Sequence, residues 1–495
     1  MNTDAPWSRR ELLAILGGAT ASACGARTER ARPEPTELTS SATSIARAIA
    51  REQVSSLQIV QAHLDRIAKV NPVLNAVVQV TAEAALDAAQ KADVALKSGE
   101  ALGPLHGVPM TIKDSLDTAG VITTAGTKGR SGYVPAEDAT VVRRLREAGA
   151  ILIGKTNTPE LTFAGQTDNL VYGRTNNPYD IDRSPGGSSG GAAAIVAAAG
   201  SPFDVGSDTG GSVRAPAHCT GICGIKPTSG RVPRTGHIVG FDDVLESLTT
   251  LGPLARTVDD LALVLSIIHG PDGRDPAIAP VPLGDPTDVE TSRLRVAYYT
   301  DNDHVAADTA TANAVREAAS VLRDEGCVVE EKRPGPIPES DSVMFALFAD
   351  GGESIRRRLD HLGTTEPHPW LSVFLDPESG VSASEAYRRI ERWASYRREM
   401  LAFLEHTDVI LCPVLAYPAP HHLGPGEASD YSAWYTEPYN LTGWPATVVR
   451  CGTSPEGLPI GVQVVSGPWR EDRSLAAAKV LEDALGGYRP PPDIG

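Results

Sequence analysis

The feature that most limits the folds open to this chain is a glycine- and serine-rich stretch at residues 183–216. It contains two Gly-Gly-Ser units, whose serines are Ser188 and Ser212. Between them, the small residues of 192–200 predict a tightly packed helix, and residues 203–206 predict a short buried strand. Because glycine reaches backbone conformations that are closed to other residues, several amide N–H groups can converge on one point here. A developing oxyanion requires that arrangement.

Ser212 is the candidate nucleophile, since it is predicted to follow the strand in a glycine turn. Its oxyanion donors would be backbone amides, those of Thr209, Gly210, Gly211 and Ser212 itself. A serine nucleophile also needs a base. His218 is close in sequence, but neither a Gly-x-Ser-x-Gly elbow nor an ordered Ser, Asp, His pattern accompanies it. We therefore expect His218 to be a packing residue.

A better candidate base is Lys113, which lies near the end of the apolar run Gly-Val-Pro-Met-Thr-Ile-Lys-Asp at residues 107–114. A lysine that is removed from water loses its charge more easily and can then act as a base near neutral pH. Lys155 and Lys226 are its rivals, but neither is predicted to end a strand in the same motif context.

These motifs resemble those of the amidase signature family, the serine hydrolases that use a Ser-Ser-Lys triad. The resemblance covers roughly residues 42–275 and 407–485. It rests on the motifs Gly107–Asp114, Gly154–Asn157, Gly186–Gly191, Gly206–Arg214 and Gly224–Thr228. It implies that Ser212 is the nucleophile, Ser188 the serine that bridges to the base, and Lys113 the base.

The resemblance also implies roles for the neighbouring residues. It implies a cis peptide bond between Gly187 and Ser188, and it makes Ser189 and Arg214 residues that pin the loop. Asp208 would orient the turn through hydrogen bonds, although a plain Asx turn explains an aspartate here nearly as well. The implied reaction is hydrolysis of a carboxylic amide to an acid and ammonia or an amine through an acyl-serine intermediate.

The fold implied by the resemblance is one α/β domain at residues 37–490, with a large mixed central β-sheet flanked by helices on both faces. Length alone, at 495 residues, suggests about three domains. Apolar periodicity at residues 44–70 predicts two helices, which Asn71 and Pro72 would end. Further helices are predicted at residues 82–98, 140–147 and 258–268.

Residues of about 280–405 depart from the family pattern and hold many aromatic side chains. They include Phe345, Phe348, Trp370, Phe374, Trp393 and Tyr396, and Trp434, Tyr435 and Tyr439 follow before the resemblance resumes. These side chains either shape a substrate pocket or fill an ordinary core, and both interpretations stay open.

The first 36 residues are predicted to be a signal peptide and linker rather than part of the fold. Ser-Arg-Arg-Glu-Leu-Leu at residues 8–13 leads into an apolar stretch at 12–23 that is too short to span a bilayer. This pattern is typical of a twin-arginine export signal and predicts a periplasmic, envelope or extracellular location. Cys24 follows small residues, so it is a candidate for a lipid anchor. The alternative is a cytoplasmic protein with a disordered tail.

The formal net charge of −17 disfavours nucleic acid and anionic membrane surfaces as partners, so the expected partner is a small amide substrate. Residues 149–156 match a phosphate-loop pattern, but their apolar middle predicts a strand instead. Neither a cofactor nor a metal is expected. Cys219 and Cys223 are close enough in sequence to form a disulfide in an exported protein.

Two other functions stay open. One is the glutamine-hydrolysing subunit of a transfer-RNA amidotransferase, a family relative; an export signal argues against it, and copurification with two partner subunits would argue for it. The other is a non-catalytic, surface-anchored binding lipoprotein. The presence of Lys113, Ser188 and Ser212 argues against that second alternative.

Overall fold

The computed structural model describes residues 39–492 except 101, 241–244, 349, 378–379, 425–426 and 428–433. The predicted signal and linker, including Cys24, lie outside the described residues. The described strands are β1 Val77–Val80, β2 Pro109–Lys113, β3 Ile151–Thr156, β4 Phe203–Asp208, β5 Cys223–Lys226, β6 Thr250–Ala255, β7 Arg295–Tyr298, β8 Val328–Glu331, β9 Val409–Pro413, β10 Ala446–Thr453 and β11 Pro459–Ser466. The described α-helices are α1 Ala42–Ala50, α2 Ser56–Leu74, α3 Ala82–Ser98, α4 Thr140–Glu147, α5 Gly190–Ala197, α6 Arg214–Thr220, α7 Leu245–Leu248, α8 Val258–Ile268, α9 Thr309–Asp324, α10 Ser340–Phe348, α11 Glu353–Leu362, α12 Ala383–Phe403, α13 Glu437–Leu441 and α14 Glu471–Leu485.

The larger sheet has the strand order β4-β6-β5-β10-β11-β9-β7-β8. Its pairs are antiparallel from β4 to β9, whereas β7 runs parallel to both β9 and β8. The predicted large mixed sheet is therefore confirmed.

Helices cover both faces of this sheet, as two adjacent residues of β10 demonstrate. Successive side chains of a strand point to opposite faces. Val448 packs in an apolar cluster with residues of α5 and α6, whereas Val449 packs in the cluster formed with α8, α9 and α14. Since both valines are fully buried, the sheet lies between two helical layers, as predicted.

A smaller sheet, with the strand order β1-β3-β2, carries the candidate base. Strands β2 and β3 are parallel, and Lys113 is the last residue of β2. The backbone N–H of Thr111 donates to the Ser201 hydroxyl at 3.1 Å, and the Thr156 hydroxyl donates to Asp204 at 3.0 Å. These bonds fasten the small sheet beside the start of β4, the strand that leads to Ser212.

Helix α2 does not end at Asn71 and Pro72, so that prediction is wrong. The helix continues to Leu74, and Asn75, in the left-handed region at φ 49°, ends it. Pro72 lacks the N–H of the helical ladder, but it lies in the last turn, where the backbone N–H of Asn75 still donates to the carbonyl oxygen of Asn71 at 2.8 Å. The Asn71 side chain accepts from the amides of Ala76 and Val77, both at 2.8 Å, and so holds the chain after the helix.

Candidate active site

Lys113 is fully buried and contacts a group of serine hydroxyls. Its Nζ donates hydrogen bonds to Ser188 Oγ at 2.7 Å, Ser189 Oγ at 3.0 Å and Ser207 Oγ at 3.0 Å. The first two serines begin the segment that leads into α5, and the third belongs to β4. The lysine of the small sheet thus meets the large sheet through hydroxyl groups.

Burial lowers the pKa of Lys113 to about 7, although the charges of Asp208 and Asp204 oppose that shift. A neutral lysine has two N–H donors and one lone pair. When Lys113 is neutral, one of the three hydroxyls can therefore donate to its nitrogen rather than accept from it. Such a lysine is able to take a proton from a serine near neutral pH.

Ser188 is buried, and the predicted cis peptide bond between Gly187 and Ser188 is present. Gly187 lies against the backbone of a neighbouring segment, since a Cβ atom there would be 2.7 Å from the carbonyl oxygen of Ala164. The sequence therefore needs a glycine at this position, because a side chain would collide with that backbone.

Ser212 occupies the turn after β4 and lines a cavity, whereas Ser188 and Lys113 are buried. The backbone N–H of Ser189 donates to the carbonyl oxygen of Ser212 at 3.2 Å and so joins the two serine loops. Among the described residues, the Ser212 hydroxyl makes no hydrogen bond, including none with Ser188. Catalytic hydrogen bonds often tighten only when substrate is bound.

The backbone amides around Ser212 differ in their availability to an oxyanion. Those of Thr209, Gly210 and Ser212 donate to no other described residue, and all three residues line the cavity. The amide of Gly211, in contrast, donates to Asp208 Oδ1 at 2.9 Å. The structure thus gives Gly211 a different task from the predicted one, because its amide is already engaged within the turn.

Asp208 and Arg214 form a fully buried ion pair that shapes this turn. Arg214 donates through Nε to Oδ2 at 3.0 Å and through Nη2 to Oδ1 at 2.9 Å. Burial would raise the pKa of Asp208, but the guanidinium of Arg214 and the hydrogen bonds from Arg214 and Asn440 hold that pKa well below its usual range. Asp208 therefore stays ionised, and its carboxylate accepts hydrogen bonds from the backbone amides of Gly211 and Val213 in the turn.

Ser207 is the residue of this cluster that the sequence analysis missed. It precedes Asp208 in β4, and the two side chains of adjacent strand residues point to opposite faces. The available signal was two adjacent polar residues at the end of an otherwise buried strand. That signal does not tell whether Ser207 or Asp208 contacts the lysine, because the contact depends on where the small sheet packs.

The rival bases have other partners. His218 accepts from the Gly461 amide at 3.1 Å and pairs through Nε2 with the Tyr417 carbonyl oxygen at 3.1 Å, so it is a packing residue. Lys155 lies in β3, the strand that the phosphate-loop match had placed in a loop, and donates to Thr118 at 2.7 Å.

Lys226, the other rival, ends a strand, β5, although in a different motif from that of Lys113. Burial lowers its pKa to about 7 as well. Its Nζ, however, donates to the carbonyl oxygen of Pro227 at 2.9 Å. Contact with serine hydroxyls, rather than burial, therefore distinguishes Lys113 from Lys226.

The cavity at Ser212 holds about 640 Å³ of empty space, part of it open to solvent, and its wall is mainly apolar. The aromatic residues noted in the sequence divide between the wall of this cavity and an apolar core. Those that line the cavity are Phe345, Phe348, Phe374 and Trp434. Those that fill a core beside it are Trp393, Tyr396, Tyr435 and Tyr439.

The described cysteines are free and buried, so Cys219 and Cys223 form no disulfide. Within the described ranges, no cluster of three or more His, Cys, Asp or Glu side chains is arranged to hold a metal ion. No helix among these residues combines the length and apolar character needed to cross a membrane.

The site thus places a buried lysine in contact with two serine loops, one of which carries a serine that lines a cavity, and this is the arrangement that a serine hydrolase with a lysine base requires. The chain belongs to the amidase family, since the family model described as Amidase matches residues 58–475.

The chain is similar to relatives whose names describe different reactions. The chain is 36% identical over 498 residues to a glutamyl-tRNA(Gln) amidotransferase subunit from Salinispora arenicola, covering 92% of this chain and 99% of the relative. It is 37% identical over 467 residues to the indoleacetamide hydrolase of Bradyrhizobium diazoefficiens, covering 90% and 86%. The structure of 6-aminohexanoate cyclic dimer hydrolase with substrate superposes with a TM-score of 0.82 at 29% identity, covering 92% of this chain and 99% of that one.

Proposed function

We propose that this protein hydrolyses linear carboxylic amides, with Ser212 as the nucleophile, Ser188 as the bridging serine and Lys113 as the base. The observation that carries this proposal is the buried 2.7 Å contact between Lys113 Nζ and Ser188 Oγ, in a loop that the Ser189 amide joins to the cavity-lining Ser212. Membership of the amidase family supports the same reaction.

Acylation would begin with the proton of the Ser212 hydroxyl. Ser188 accepts that proton while passing its own to neutral Lys113, and the Ser212 oxygen forms a bond to the amide carbon. The carbonyl electron pair moves to the oxygen, which the amides of Thr209, Gly210 and Ser212 would stabilise. When the C–N bond breaks, the same path returns the proton to the departing nitrogen.

Deacylation would repeat the sequence with water in place of Ser212. Ser188 and Lys113 accept a proton from the water as its oxygen bonds to the acyl carbon. Collapse of the second tetrahedral intermediate breaks the ester bond, returns the proton to Ser212 and releases the acid.

The test of this proposal is labelling with a fluorophosphonate, which reacts with activated serines. We expect one adduct, on Ser212, that disappears in Ser212→Ala. The control variant is Ser229→Ala, which removes a buried hydroxyl that has no hydrogen bond among the described residues, and it should keep the adduct. An adduct elsewhere, or none on the folded protein, would overturn the assignment.

A second candidate is the glutamine-hydrolysing subunit of a transfer-RNA amidotransferase, which the identity to the Salinispora arenicola protein favours. That function requires partner subunits to receive the ammonia. Copurification of the native protein with two further subunits would support it, and hydrolysis of amides by the isolated chain with no preference for glutamine would exclude it.

We also propose export by the twin-arginine route, on the basis of the Arg9-Arg10 pair and the apolar stretch that follows it. Cell fractionation and mass spectrometry of the mature N-terminus test this proposal and report any lipid on Cys24. Substitution of both arginines by lysine is expected to retain the protein in the cytoplasm, and an unprocessed cytoplasmic wild type would contradict export.

A further inference from the structure

One wall of the substrate cavity is formed by aromatic rings that pack on one another. Phe163, Phe348 and Phe374 all line the cavity, and the ring centroids of the three pairs are 5.5 Å, 5.7 Å and 6.4 Å apart. Aromatic pairs at such distances attract each other beyond the effect of burial alone. Three segments that are distant in the chain therefore build one apolar surface, which we call the phenylalanine wall.

The phenylalanine wall is fixed to the loop that carries Ser188. Ala164 follows Phe163 in the chain and also lines the cavity. A Cβ atom at Gly187 would be 2.7 Å from the carbonyl oxygen of Ala164, so the two backbones pack directly against each other. A group that binds to this wall would thus be held at a fixed position relative to the serine loops, as productive substrate positioning requires.

A further aromatic ring lies against the turn that carries Ser212. Trp434 lines the cavity, and a Cβ atom at Gly211 would be 2.9 Å from Cε3 of its ring. The hydroxyl of Thr436 donates to the carbonyl oxygen of Gly210 at 2.6 Å and holds the same segment to this turn. Aromatic surface therefore adjoins both serine loops.

The described part of the cavity offers little to a charged substrate. None of the described lining residues is a lysine, an arginine or a histidine. The one ionisable side chain among them belongs to Glu437, and burial raises the pKa of that carboxyl group well above its usual range, which favours its uncharged form. An ionised carboxylate, such as that of free glutamine, would lose hydration at these rings without meeting a cation from the described lining residues.

We propose that the amides this protein cleaves carry a bulky apolar group, about the size of an aromatic ring, which packs on the phenylalanine wall while the amide lies at Ser212. Met344, whose flexible side chain fits irregular shapes, extends the same apolar surface. The gain from burying an apolar group grows with its area, so a ring gains far more here than a methyl group does. This inference rests on the proposed amide hydrolysis at Ser212.

The test compares kcat/KM for acetamide with kcat/KM for two amides that carry a phenyl ring. Phenylacetamide places the ring on the acyl side, and N-benzylacetamide places it on the amine side. We expect the wild type to favour the better of the two over acetamide by about a hundredfold, since each buried methylene group contributes about fourfold. L-Glutamine should be a poorer substrate than that amide.

Phe348→Ala should lower the preference for the phenyl amide over acetamide by about tenfold, because it removes part of the surface on which the ring packs. The matched control is Phe403→Ala, which should keep the wild-type preference. Phe403 is the last residue of α12, contacts the Lys332 ammonium group and is not among the described lining residues. Should Phe348→Ala fail to fold by circular dichroism, Phe374→Ala replaces it with the same expectation.

Two results would overturn the inference: a wild type that cleaves acetamide or L-glutamine as efficiently as both phenyl amides, or a Phe348→Ala variant with an unchanged preference. Fluorophosphonate labelling of Ser212 reports on the proposed hydrolysis independently of these substrates. Should the wild type cleave none of them, calorimetric binding to Ser212→Ala decides. Tighter binding of a phenyl amide than of acetamide then supports the inference, and equal binding refutes it.

Discussion

At the scale of single residues, the proposed chemistry depends on a lysine that is buried away from water. Burial and the contacts with Ser188, Ser189 and Ser207 make Lys113 different from a surface lysine. Each of these features leads to a measurable expectation for the purified enzyme.

Lys113→Ala is expected to lower kcat/KM by about a hundredfold to ten-thousandfold, because a positioned general base typically contributes that much. Circular dichroism should show that the variant is folded. Lys91→Ala, on the exposed surface of α3, is the matched control and should leave kcat/KM unchanged. Equal activity in Lys113→Ala and wild type would remove the lysine from the mechanism.

The pH profile should reflect the neutral form of Lys113, because only that form can accept a proton. Burial places the pKa of Lys113 at about 7 against the opposing charges of Asp208 and Asp204. Below that pH, we expect kcat/KM to fall by about tenfold for each pH unit, and above it to level off. A profile that stays flat down to acidic pH is incompatible with a lysine base.

Ser207→Ala should shift the acid limb of this profile to lower pH. The Ser207 hydroxyl accepts a hydrogen bond from Lys113, so its loss disfavours the charged form of the lysine and lowers its pKa. The expected shift is on the order of one pH unit, measured as kcat/KM against pH. Ser229→Ala, which removes a hydroxyl that has no contact with Lys113, is the control, and an identical profile in both variants would contradict this account.

At the scale of elements, the turn between β4 and α6 is shaped by close packing. Gly211 has φ 133°, and a Cβ atom there would lie 2.3 Å from the hydroxyl oxygen of Thr436. Gly210, its neighbour, has open space where a Cβ would be. Close packing therefore requires glycine at position 211, whereas no such contact requires it at position 210.

Gly211→Ala is expected to lower kcat/KM by about a hundredfold, since a displacement of the nucleophile turn by about 1 Å is enough for such a loss. Gly210→Ala should retain activity much closer to wild type. Steady-state kinetics of the two variants tests this expectation, and an equal loss in both would show that the contact with Thr436 is not the cause.

Sequence alone predicted several elements with their boundaries. The helices at residues 82–98, 140–147 and 258–268 begin and end as predicted, because apolar periodicity and polar flanking residues agree there. The prediction at Pro72 failed because a proline removes one ladder bond without ending the helix, which instead ends where Asn75 adopts the left-handed conformation. Neither the contact of Ser207 with Lys113 nor the division of the aromatic residues between cavity and core could be predicted, because both depend on how distant segments pack.

At the scale of the whole molecule, the buried pair of Asp208 and Arg214 joins distant parts of the chain. Arg214 reaches Gln463 in β11 and Asn440 in α13, so one side chain connects the nucleophile turn to the C-terminal part of the sheet. Its removal would leave Asp208 ionised, buried and uncompensated.

Arg214→Ala is therefore expected to reduce the free energy of unfolding by about 3–5 kcal/mol. Urea denaturation measures this change, with Lys91→Ala as the control because Lys91 forms only an exposed ion pair with Asp87. A loss no larger than that of the control would show that the pair contributes little to stability.

The burial of Lys113 also divides the molecule into two parts that can change independently. Among the described residues, the proposed base donates hydrogen bonds only to serine hydroxyls, and it has no surface in contact with solvent, so no change in substrate needs to alter its surroundings. Part of the cavity wall comes instead from Met344, Phe345, Phe348 and Phe374, far along the chain from Lys113. Mutation could therefore reshape that part of the wall and exchange one amide for another, while the proposed proton relay is inherited unchanged.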